Sequence, residues 1–388
     1  MSVTAAQGFR AAGVAAGLKT AGPDLALVVN DGPLDVAAGV FTTNRVIAAP
    51  VRWSQQVLRL GRLRAVVLNS GGANACTGPG GFQDTHATAE RVAAALGIGA
   101  VDVAVCSTGL IGQRLDMSAL LPGVDAAAAT LAGDGGALAA EAIRTTDSVS
   151  KLAVYGGAGP NGGAGWTVGG MAKGAGMLAP SLATMLAVLT TDAVIEPAHA
   201  DVALRAATAA TFDRLDSDGC LSTNDTVLLL ASGASGVPVG EVELTTAVRA
   251  VCADLAGQLL ADAEGSTKDI EIVVRSAADE SDAVEVGRSI ARNNLLKCAL
   301  FGADPNWGRV LAAVGTTRAS FEPDRLAVSM NGVAVCVAGA AAADPAAVDL
   351  TGRRVLIEVD LAAGDAEATI WTNDLSLAYV HENSAYST

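Results

Sequence analysis

Thr184 is placed as a self-cleaving nucleophile would be. It follows a small residue, Ala183, and stands at the start of an apolar run from Met185 to Leu189. A hydroxyl one residue past a peptide carbonyl can attack that carbonyl when the backbone is bent. The acyl group then shifts from nitrogen to oxygen, and water hydrolyses the resulting ester. A new chain would begin at Thr184; the alternative is an ordinary threonine at the start of a strand.

A threonine at a new N-terminus supplies two catalytic groups. Its free α-amine has an ordinary pKa of about 8 and lies close enough to its own hydroxyl to act as a general base near neutral pH. Cleavage would divide the chain into residues 1–183 and 184–388. A strand that begins at Thr184 has to pair with strands of the first piece, so we expect the two fragments to stay together.

Acyl chemistry at Thr184 also needs hydrogen-bond donors for the carbonyl oxygen that becomes negatively charged. The segment CSTGLIG, residues 106–112, follows a predicted buried strand and offers the Thr108 hydroxyl and the Gly109 amide. Gly109 has no side chain that would block the approach of a substrate. These two groups are the candidate oxyanion hole, and a turn that caps the next helix is the alternative.

Lys173 lies in a glycine-rich segment, among Gly170, Gly174 and Gly176. The phosphate-binding pattern GxxxxGK[ST] is absent, because Ala172 precedes the lysine and Gly174 follows it. A lysine among glycines suits an α-carboxylate that must approach the backbone closely. A solvated turn lysine is the alternative.

The segment DSDGCLSTND, residues 216–225, is only superficially similar to a calcium loop. Aligned on Gly219, it places Arg214 at the first ligand position and Asp225 at the twelfth, where glutamate is expected. The six cysteines form no CxxC pair and, with three histidines, follow no zinc pattern. We therefore expect no metal site.

The bulk composition excludes several kinds of partner. Twenty-five basic and 40 acidic residues give a net charge of −15, which repels nucleic acid and anionic lipid. No uninterrupted apolar stretch approaches the roughly 20 residues that span a bilayer, and the N-terminus has no export signal. Scattered cysteines agree with a reducing compartment. We expect a cytoplasmic protein without a membrane or nucleic-acid partner.

The elements that must position these residues alternate between strands and helices, which predicts a layered α/β or α+β fold. A chain of 388 residues also predicts two lobes. Residues 156–166 are glycine-rich and indicate a hairpin loop. Strands are predicted over 25–30, 36–41, 65–69 and 101–106. Helices are predicted over 84–96 and 244–263, and a further helix is expected to start at Asp304-Pro305.

Eight segments, in order along the whole chain, resemble those of the ornithine acetyltransferase family of arginine biosynthesis, the glutamate N-acetyltransferases. One such match is easily reached by chance, but eight in sequence are not. The segments are residues 8–19 (GFRAAGVAAGLK), 69–78 (NSGGANACTG), 106–112, 145–147 (TTD), 169–193 (GGMAKGAGMLAPSLATMLAVLTTDA), 261–268 (ADAEGSTK), 304–309 (DPNWGR) and 382–388 (ENSAYST).

The resemblance implies a self-processed enzyme. It would move the acetyl group of N-acetylornithine onto Thr184 and then to glutamate, releasing ornithine and N-acetylglutamate in a ping-pong reaction that needs no cofactor. The implied fold is an αββα-type sandwich whose sheets are shared by the two fragments, assembled as α2β2. The implied site comprises the scissile bond Ala183–Thr184, the oxyanion hole of Thr108 and Gly109, and substrate contacts by Thr145, Lys173, Thr184, Glu264, Asn383 and Thr388.

Some points stay open at this stage. Arg144 stands where the family usually has methionine, and residues 157–163 look inserted, so either Thr145 or Thr146 is the substrate contact. No sequence signature decides whether acetyl-CoA is a second donor, which would make the enzyme bifunctional. The rival functions are a threonine-nucleophile amidase or aminopeptidase with water as acceptor, and a non-catalytic amino-acid-binding protein.

Overall fold

The computed structural model describes residues 2–159, 163, 165–177 and 185–385. Three of the predicted site residues, Ala183, Thr184 and Thr388, lie outside the described residues. Three β-sheets organise the described part of the chain.

The first sheet contains four strands from the N-terminal third of the chain. They are β1 (Phe9–Val14), β2 (Leu25–Asn30), β4 (Ala65–Asn69) and β5 (Val103–Ser107), in the order β1-β2-β4-β5. Strands β4 and β5 are parallel, whereas the other neighbours are antiparallel. All side chains of β2, β4 and β5 are buried, as expected for strands that are covered on both faces.

The second sheet combines strands from both sides of position 184. They are β3 (Val36–Phe41), β6 (Lys151–Gly157), β7 (Trp166–Lys173), β8 (Leu186–Thr191) and β9 (Thr226–Ala231), in the order β3-β9-β8-β7-β6. Strand β8 lies in the middle, antiparallel to β7 and parallel to β9. The segments before and after the predicted cleavage point therefore share one sheet.

Helices cover these two sheets. The helices of this part are α1 (Ala49–Val57), α2 (Gly78–Leu96), α3 (Met117–Ala129), α4 (Gly136–Ala142), α5 (Pro197–Ala210) and α6 (Glu241–Ala261). Helices α2 and α3 pack on the first sheet, and α5 and α6 pack on the second. Val67 of the first sheet shares a core with Val188 of the second, whereas Leu189 lies in the core under α5 and α6. This layering confirms the predicted αββα arrangement.

The third sheet has a core of its own, in which Ile272 and Ile357 are completely buried. Its six strands lie in the order β13-β12-β11-β14-β10-β15. Their bounds are β10 (Asp269–Ala277), β11 (Ala327–Met330), β12 (Val333–Val337), β13 (Ala340–Ala341), β14 (Arg354–Asp360) and β15 (Ala366–Asn373). Helices α7 (Glu280–Ala291), α8 (Asn294–Phe301) and α9 (Trp307–Val314) accompany this sheet, and α10 (Leu377–Ala385) follows it.

The strand predictions agree closely with the structure. Strands β2, β3 and β4 have the predicted bounds, and β6 and β7 form the antiparallel pair expected around the glycine-rich segment. Strand β5 begins at Val103 instead of 101, because residues 100–102 form a 3₁₀ turn. Helix α6 begins three residues earlier than predicted and ends at Ala261.

Two helix starts were predicted wrongly. Helix α2 begins at Gly78 instead of Asp84, with Pro79 in its first turn, a position where the missing N–H of proline costs no helical hydrogen bond. The prediction of a helix start at Asp304-Pro305 is also wrong, since α9 begins at Trp307. The Asn306 N–H instead donates to the Asp304 carbonyl at 2.8 Å, which is a tight turn.

Helix α6 is long and apolar overall, although Arg249 and Asp254 interrupt its apolar residues. Among the described helices it alone has the length and composition to cross a bilayer. Its apolar face, however, is part of the core beneath the second sheet, where Leu244, Val248 and Leu255 are completely buried. A buried core helix meets the same criterion of length and composition.

Candidate active site

One cavity of about 360 Å³ is lined by six of the predicted site residues. Their backbone positions come from distant parts of the chain. These residues are Thr108 and Gly109 after β5, Thr145 after α4, Lys173 at the end of β7, Glu264 after α6 and Asn383 on α10. The fold therefore brings the candidate oxyanion donors, the candidate cation and the candidate carboxylate to one place.

The start of β8 pairs with Lys173, a residue that lines this cavity. Leu186, the first residue of β8, pairs with Lys173 on one side and with Thr226 on the other. The preceding residue, Met185, donates its N–H to Asp225 Oδ1 at 3.0 Å. Met185 follows the predicted nucleophile in the chain, but Thr184 itself lies outside the described residues.

Lys173 is buried and holds two threonine hydroxyls. Its Nζ donates to Thr145 Oγ1 at 2.7 Å and to Thr108 Oγ1 at 3.1 Å. Burial lowers the pKa of the Lys173 ammonium, although the Asp147 carboxylate, 3.9 Å away, opposes this shift. Because Thr108 Oγ1 accepts a hydrogen bond from Lys173, its own hydrogen remains available for a further acceptor.

Asp147 anchors the backbone at Gly174, which follows Lys173, and at Thr145, whose hydroxyl accepts a hydrogen bond from Lys173. Its Oδ1 accepts hydrogen bonds from the Gly174 N–H and from Lys151 Nζ, both at 2.6 Å, and its Oδ2 accepts from the Thr145 N–H at 3.1 Å. Burial alone would raise the pKa of this carboxyl, but the Lys173 and Lys151 ammonium groups and the Gly174 N–H lower it to about 2. The carboxyl that holds Lys173 from outside the cavity lining is therefore ionised at neutral pH.

Gly109 occupies a backbone conformation that other residues rarely adopt. Its φ is +126°, and a Cβ at this position would lie 2.9 Å from the Gly72 nitrogen. The glycine is required both by its conformation and by the close approach of the neighbouring backbone. The loop that carries Thr108 is fixed further by the Thr108 N–H, which donates to the Asn69 carbonyl at 3.0 Å.

Glu264 and Asn383 also line the cavity and contact each other. Asn383 Nδ2 donates to Glu264 Oε2 at 3.0 Å, and the Glu264 N–H donates to the Ala175 carbonyl at 3.0 Å. A Cβ at Gly176 would lie 2.6 Å from Glu264 Oε2, so this glycine makes room for the carboxylate. A half-buried carboxylate in a cavity wall is suited to bind a substrate ammonium.

Thr145 and Thr146, the two candidates for the substrate contact, differ in their relation to Lys173. Both residues line the cavity, but it is the Thr145 hydroxyl that accepts the hydrogen bond from Lys173.

Several lining residues were missed in the sequence. Ser222, Thr223 and Asn224 come from the segment that was compared with a calcium loop. Asn224 Nδ2 donates to the carbonyl of Ala73, another lining residue, at 2.6 Å. One feature of the sequence could have indicated these residues, namely a run of small polar residues directly before the buried strand β9. Ligand sites often lie at the ends of strands.

A metal centre has no support in the described ranges. No group of three histidine, cysteine, aspartate or glutamate side chains there is arranged to hold an ion.

Known proteins are similar to the chain over its whole length. The model of the ArgJ family matches residues 10–388. The arginine biosynthesis bifunctional protein ArgJ of Streptomyces coelicolor is 66% identical to this chain, and the match covers 100% of both proteins. Its counterpart from Mycobacterium tuberculosis is 62% identical, with 99% of this chain and 96% of the relative covered. A solved ornithine acetyltransferase from the same bacterium, complexed with ornithine, is 61% identical over 46% of this chain and 94% of its own, with a TM-score of 0.43.

Proposed function

The chain belongs to the ArgJ family, and from this premise we propose that it is a glutamate N-acetyltransferase that uses N-acetylornithine as the acetyl donor. The observation that carries the proposal is the single cavity in which Thr108 and Gly109 lie together with Lys173 and Glu264. Acyl transfer between two amino acids needs donors for an oxyanion and groups for the charges of the amino acids. The relatives are named for arginine biosynthesis, in which ornithine is the expected product.

The first step is the formation of the nucleophile. The Thr184 hydroxyl attacks the Ala183 carbonyl, the acyl group moves from nitrogen to oxygen, and water hydrolyses the ester. Thr184 then has a free α-amine next to its hydroxyl. The pairing of Leu186 with Lys173, which lines the cavity, supports this assignment.

The second step moves the acetyl group onto the enzyme. The Thr184 α-amine takes the proton of the hydroxyl, Oγ attacks the acetyl carbonyl of N-acetylornithine, and the negative charge develops on the carbonyl oxygen. The Thr108 hydroxyl and the Gly109 N–H are the donors that we assign to this oxygen. The ornithine nitrogen leaves with a proton, and the acetyl group remains on Thr184 as an ester.

The third step returns the acetyl group to an amino acid. Glutamate enters the vacated cavity, and its α-amine attacks the ester. Lys173 supplies positive charge near the α-carboxylate that both amino acids share, and Glu264 with Asn383 faces the ammonium of ornithine. Thr145 holds Lys173 in place and contacts substrate. Thr388 is proposed as a further contact at the end of the chain.

The full-length relatives are named bifunctional. On this basis we propose acetyl-CoA as a second donor, which would allow the enzyme to form N-acetylglutamate without N-acetylornithine. The two fragments, 1–183 and 184–388, would form an αβ unit that pairs to α2β2 in the cytoplasm. Both fragments contribute strands to the second sheet, which supports a permanent αβ unit.

The proposal is tested by incubating the purified protein with N-acetylornithine. Ornithine release that depends on glutamate is expected, with N-acetylglutamate formed in equal amount. Equal release without glutamate would instead indicate an amidase. Denaturing electrophoresis is expected to show two fragments, and N-terminal sequencing should yield Thr-Met-Leu-Ala. An active but intact chain, or full activity of Thr184→Ala, would contradict the self-processing mechanism.

A further inference from the structure

The cavity would have to accept two amino acids whose side chains carry opposite charges. Ornithine ends in an ammonium group and glutamate in a carboxylate, while both carry an α-carboxylate. Among the described lining residues, the charged ones are Lys173, Glu264 and Lys19. The transfer steps proposed above use Lys173 and Glu264, which match the α-carboxylate and the free ammonium of N-acetylornithine. Those steps leave Lys19 without a role, and they leave the side-chain carboxylate of glutamate without a cation.

The backbone that carries Lys19 is fixed by a buried side chain. Asp24 is completely buried, and its Oδ2 accepts the N–H groups of Leu18 and Lys19 at 2.6 and 2.9 Å. The Asp24 carbonyl accepts the N–H of Ser70, another lining residue, at 2.9 Å. A Cβ at Gly71 would lie 2.4 Å from Leu18 Cβ, so the two segments are closely packed. The fold therefore holds the base of the Lys19 side chain at a defined place beside the cavity.

The half-buried Lys19 ammonium forms no ion pair with a described residue. Its Nζ donates to the Arg144 carbonyl at 3.0 Å, which uses one of its three N–H groups. Burial lowers the pKa of Lys19, and the Arg144 charge acts in the same direction. Three carboxylates oppose this shift without cancelling it, those of Asp24, Glu141 and Asp147. An ammonium in these surroundings is stabilised by a carboxylate that a substrate brings to its remaining N–H groups.

Lys19 and Lys173 hold two consecutive residues of the chain. Lys19 Nζ donates to the Arg144 carbonyl at 3.0 Å, and Lys173 Nζ donates to Thr145 Oγ1 at 2.7 Å. Covalent geometry within these two residues then limits the distance between the ammonium nitrogens to about 11 Å. An extended glutamate has its carboxyl carbons about 5 Å apart, and a charge-assisted hydrogen bond at each end adds about 3 Å. One glutamate molecule can therefore reach both ammonium groups.

We propose that Lys19 binds the side-chain carboxylate of the acceptor glutamate, an inference that rests on the acetyl transfer proposed above. Lys173 then holds the α-carboxylate of either amino acid. Glu264 holds the side-chain ammonium of ornithine, and Lys19 holds the side-chain carboxylate of glutamate. Different lining groups of one cavity thus receive the opposite side-chain charges. Lys19 determines the specificity for the acceptor and takes no part in the formation of bonds.

A purely structural role of Lys19 is the competing explanation, because its bond to the Arg144 carbonyl also supports the segment that contains Thr145. Loss of such a support would impair both substrates alike, since Thr145 contacts Lys173, the proposed partner of the shared α-carboxylate. Loss of a group that binds the second carboxylate would impair glutamate alone. Glutamine separates the two explanations further, because it has the shape of glutamate but a neutral side-chain amide.

The experiment measures the steady-state kinetics of Lys19→Gln with N-acetylornithine as donor. We expect kcat/KM for glutamate to fall by about 10–100-fold, the effect of one lost charged hydrogen bond, and kcat/KM for N-acetylornithine to stay within about threefold. Lys19→Arg keeps the charge and should retain at least about a tenth of kcat/KM for glutamate. The matched control is Arg10→Gln, which removes an exposed cation of the same N-terminal segment, paired with Asp31 outside the cavity lining. It should leave both values unchanged.

The choice between acceptors supplies a second readout. The wild type should prefer glutamate to glutamine, and Lys19→Gln should reduce that preference by about 10–100-fold while its thermal unfolding midpoint stays close to that of the wild type. An unchanged preference, or an equal fall of kcat/KM for both substrates, would overturn the inference, as would loss of the preference in Lys19→Arg. If the wild type transfers no acetyl group from N-acetylornithine to glutamate, the proposed function fails. If it does so and Lys19→Gln keeps the preference, only the role of Lys19 fails.

Discussion

Lys173 Nζ lies 3.1 Å from Thr108 Oγ1 and donates a hydrogen bond to it. The two residues come from different sheets, since Thr108 follows β5 and Lys173 ends β7. The contact orients the Thr108 hydroxyl, whose hydrogen must then point to another acceptor. It also places a buried positive charge behind the hydroxyl, which makes that hydroxyl a better donor to a developing oxyanion.

Removal of the Thr108 hydroxyl should therefore slow the chemical step. We expect Thr108→Val to lower kcat for ornithine release by about 10²–10³-fold, the usual effect of losing one oxyanion donor, with a small change in KM. Steady-state kinetics with N-acetylornithine and glutamate measure this. As a control, Thr88→Val removes another buried hydroxyl, which bonds to the Asp84 carbonyl on α2 outside the cavity, and should leave kcat unchanged. A larger effect on KM than on kcat would argue for a binding role of Thr108.

The backbone of Gly109 gives a second test of the oxyanion hole. We expect Gly109→Ala to destabilise the fold by about 1–3 kcal/mol and to lower kcat sharply, because a Cβ would meet the Gly72 backbone. Gly112→Ala is the matched control in the same loop. Gly112 also has a positive φ, +87°, but no atom lies within 4 Å of a Cβ there. Equal losses of kcat in both variants would show that strain alone explains the effect.

The carboxylate of Glu264 should affect the binding of ornithine more than the chemistry. We expect Glu264→Gln to raise KM for N-acetylornithine by about 10–100-fold, which corresponds to the loss of one charged hydrogen bond, and to leave KM for glutamate unchanged or lower. Gly176→Ala should act in the same direction by displacing Glu264, whereas Gly257→Ala on α6, where a Cβ meets open space, should have no effect. A uniform rise in KM for both substrates would contradict this assignment.

Asp147 should make the stability of the protein depend on pH in acid. The folded-state pKa of Asp147, about 2, lies below the ordinary value of 3.8. Its contribution to the free energy of unfolding is therefore complete above pH 3.8 and is lost as the pH falls through the folded-state pKa. The loss amounts to about 2 kcal/mol of unfolding free energy. Denaturant unfolding at several acid pH values measures it.

Two variants complete this acid test. Asp147→Asn should be less stable at neutral pH by about 3–5 kcal/mol, because the buried Lys151 ammonium loses one of its carboxylate partners. The variant should also lack the loss of stability in acid that comes from protonation of Asp147. Asp125→Asn, which removes an exposed carboxylate bonded to Arg91, should keep the wild-type dependence. An unchanged acid dependence in Asp147→Asn would refute the account.

The local pattern of the sequence was sufficient for much of the fold. The bounds of β2, β3 and β4 were predictable because each strand is a largely apolar run that is followed by turn residues. The runs end at Asn30, Phe41 and Asn69. The predicted helix start at Asp304-Pro305 was wrong, because a capping pattern is compatible with a helix start but does not require one. The tight turn that the structure has at Asn306 depends on the surroundings of that residue.

The site was predictable only where the chain carries a recognisable motif. Thr108, Lys173 and Glu264 lie in segments that resemble the family, and the fold brings them together. The lining by Ser222–Asn224 was missed because nothing in the local sequence links that segment to Ala73, the distant residue whose carbonyl accepts a hydrogen bond from Asn224. The buried position of Asp225 likewise depends on the pairing of β8 with β9.

The central place of β8 in the second sheet has a consequence for recovery from denaturation. A chain severed before β8 consists of two polypeptides, and neither contains all five strands of that sheet. Refolding after complete unfolding would become a bimolecular encounter whose yield rises with protein concentration, whereas the uncut precursor refolds as a single molecule. The processed enzyme would thus be easy to assemble once, during synthesis, and difficult to reassemble from its separated parts.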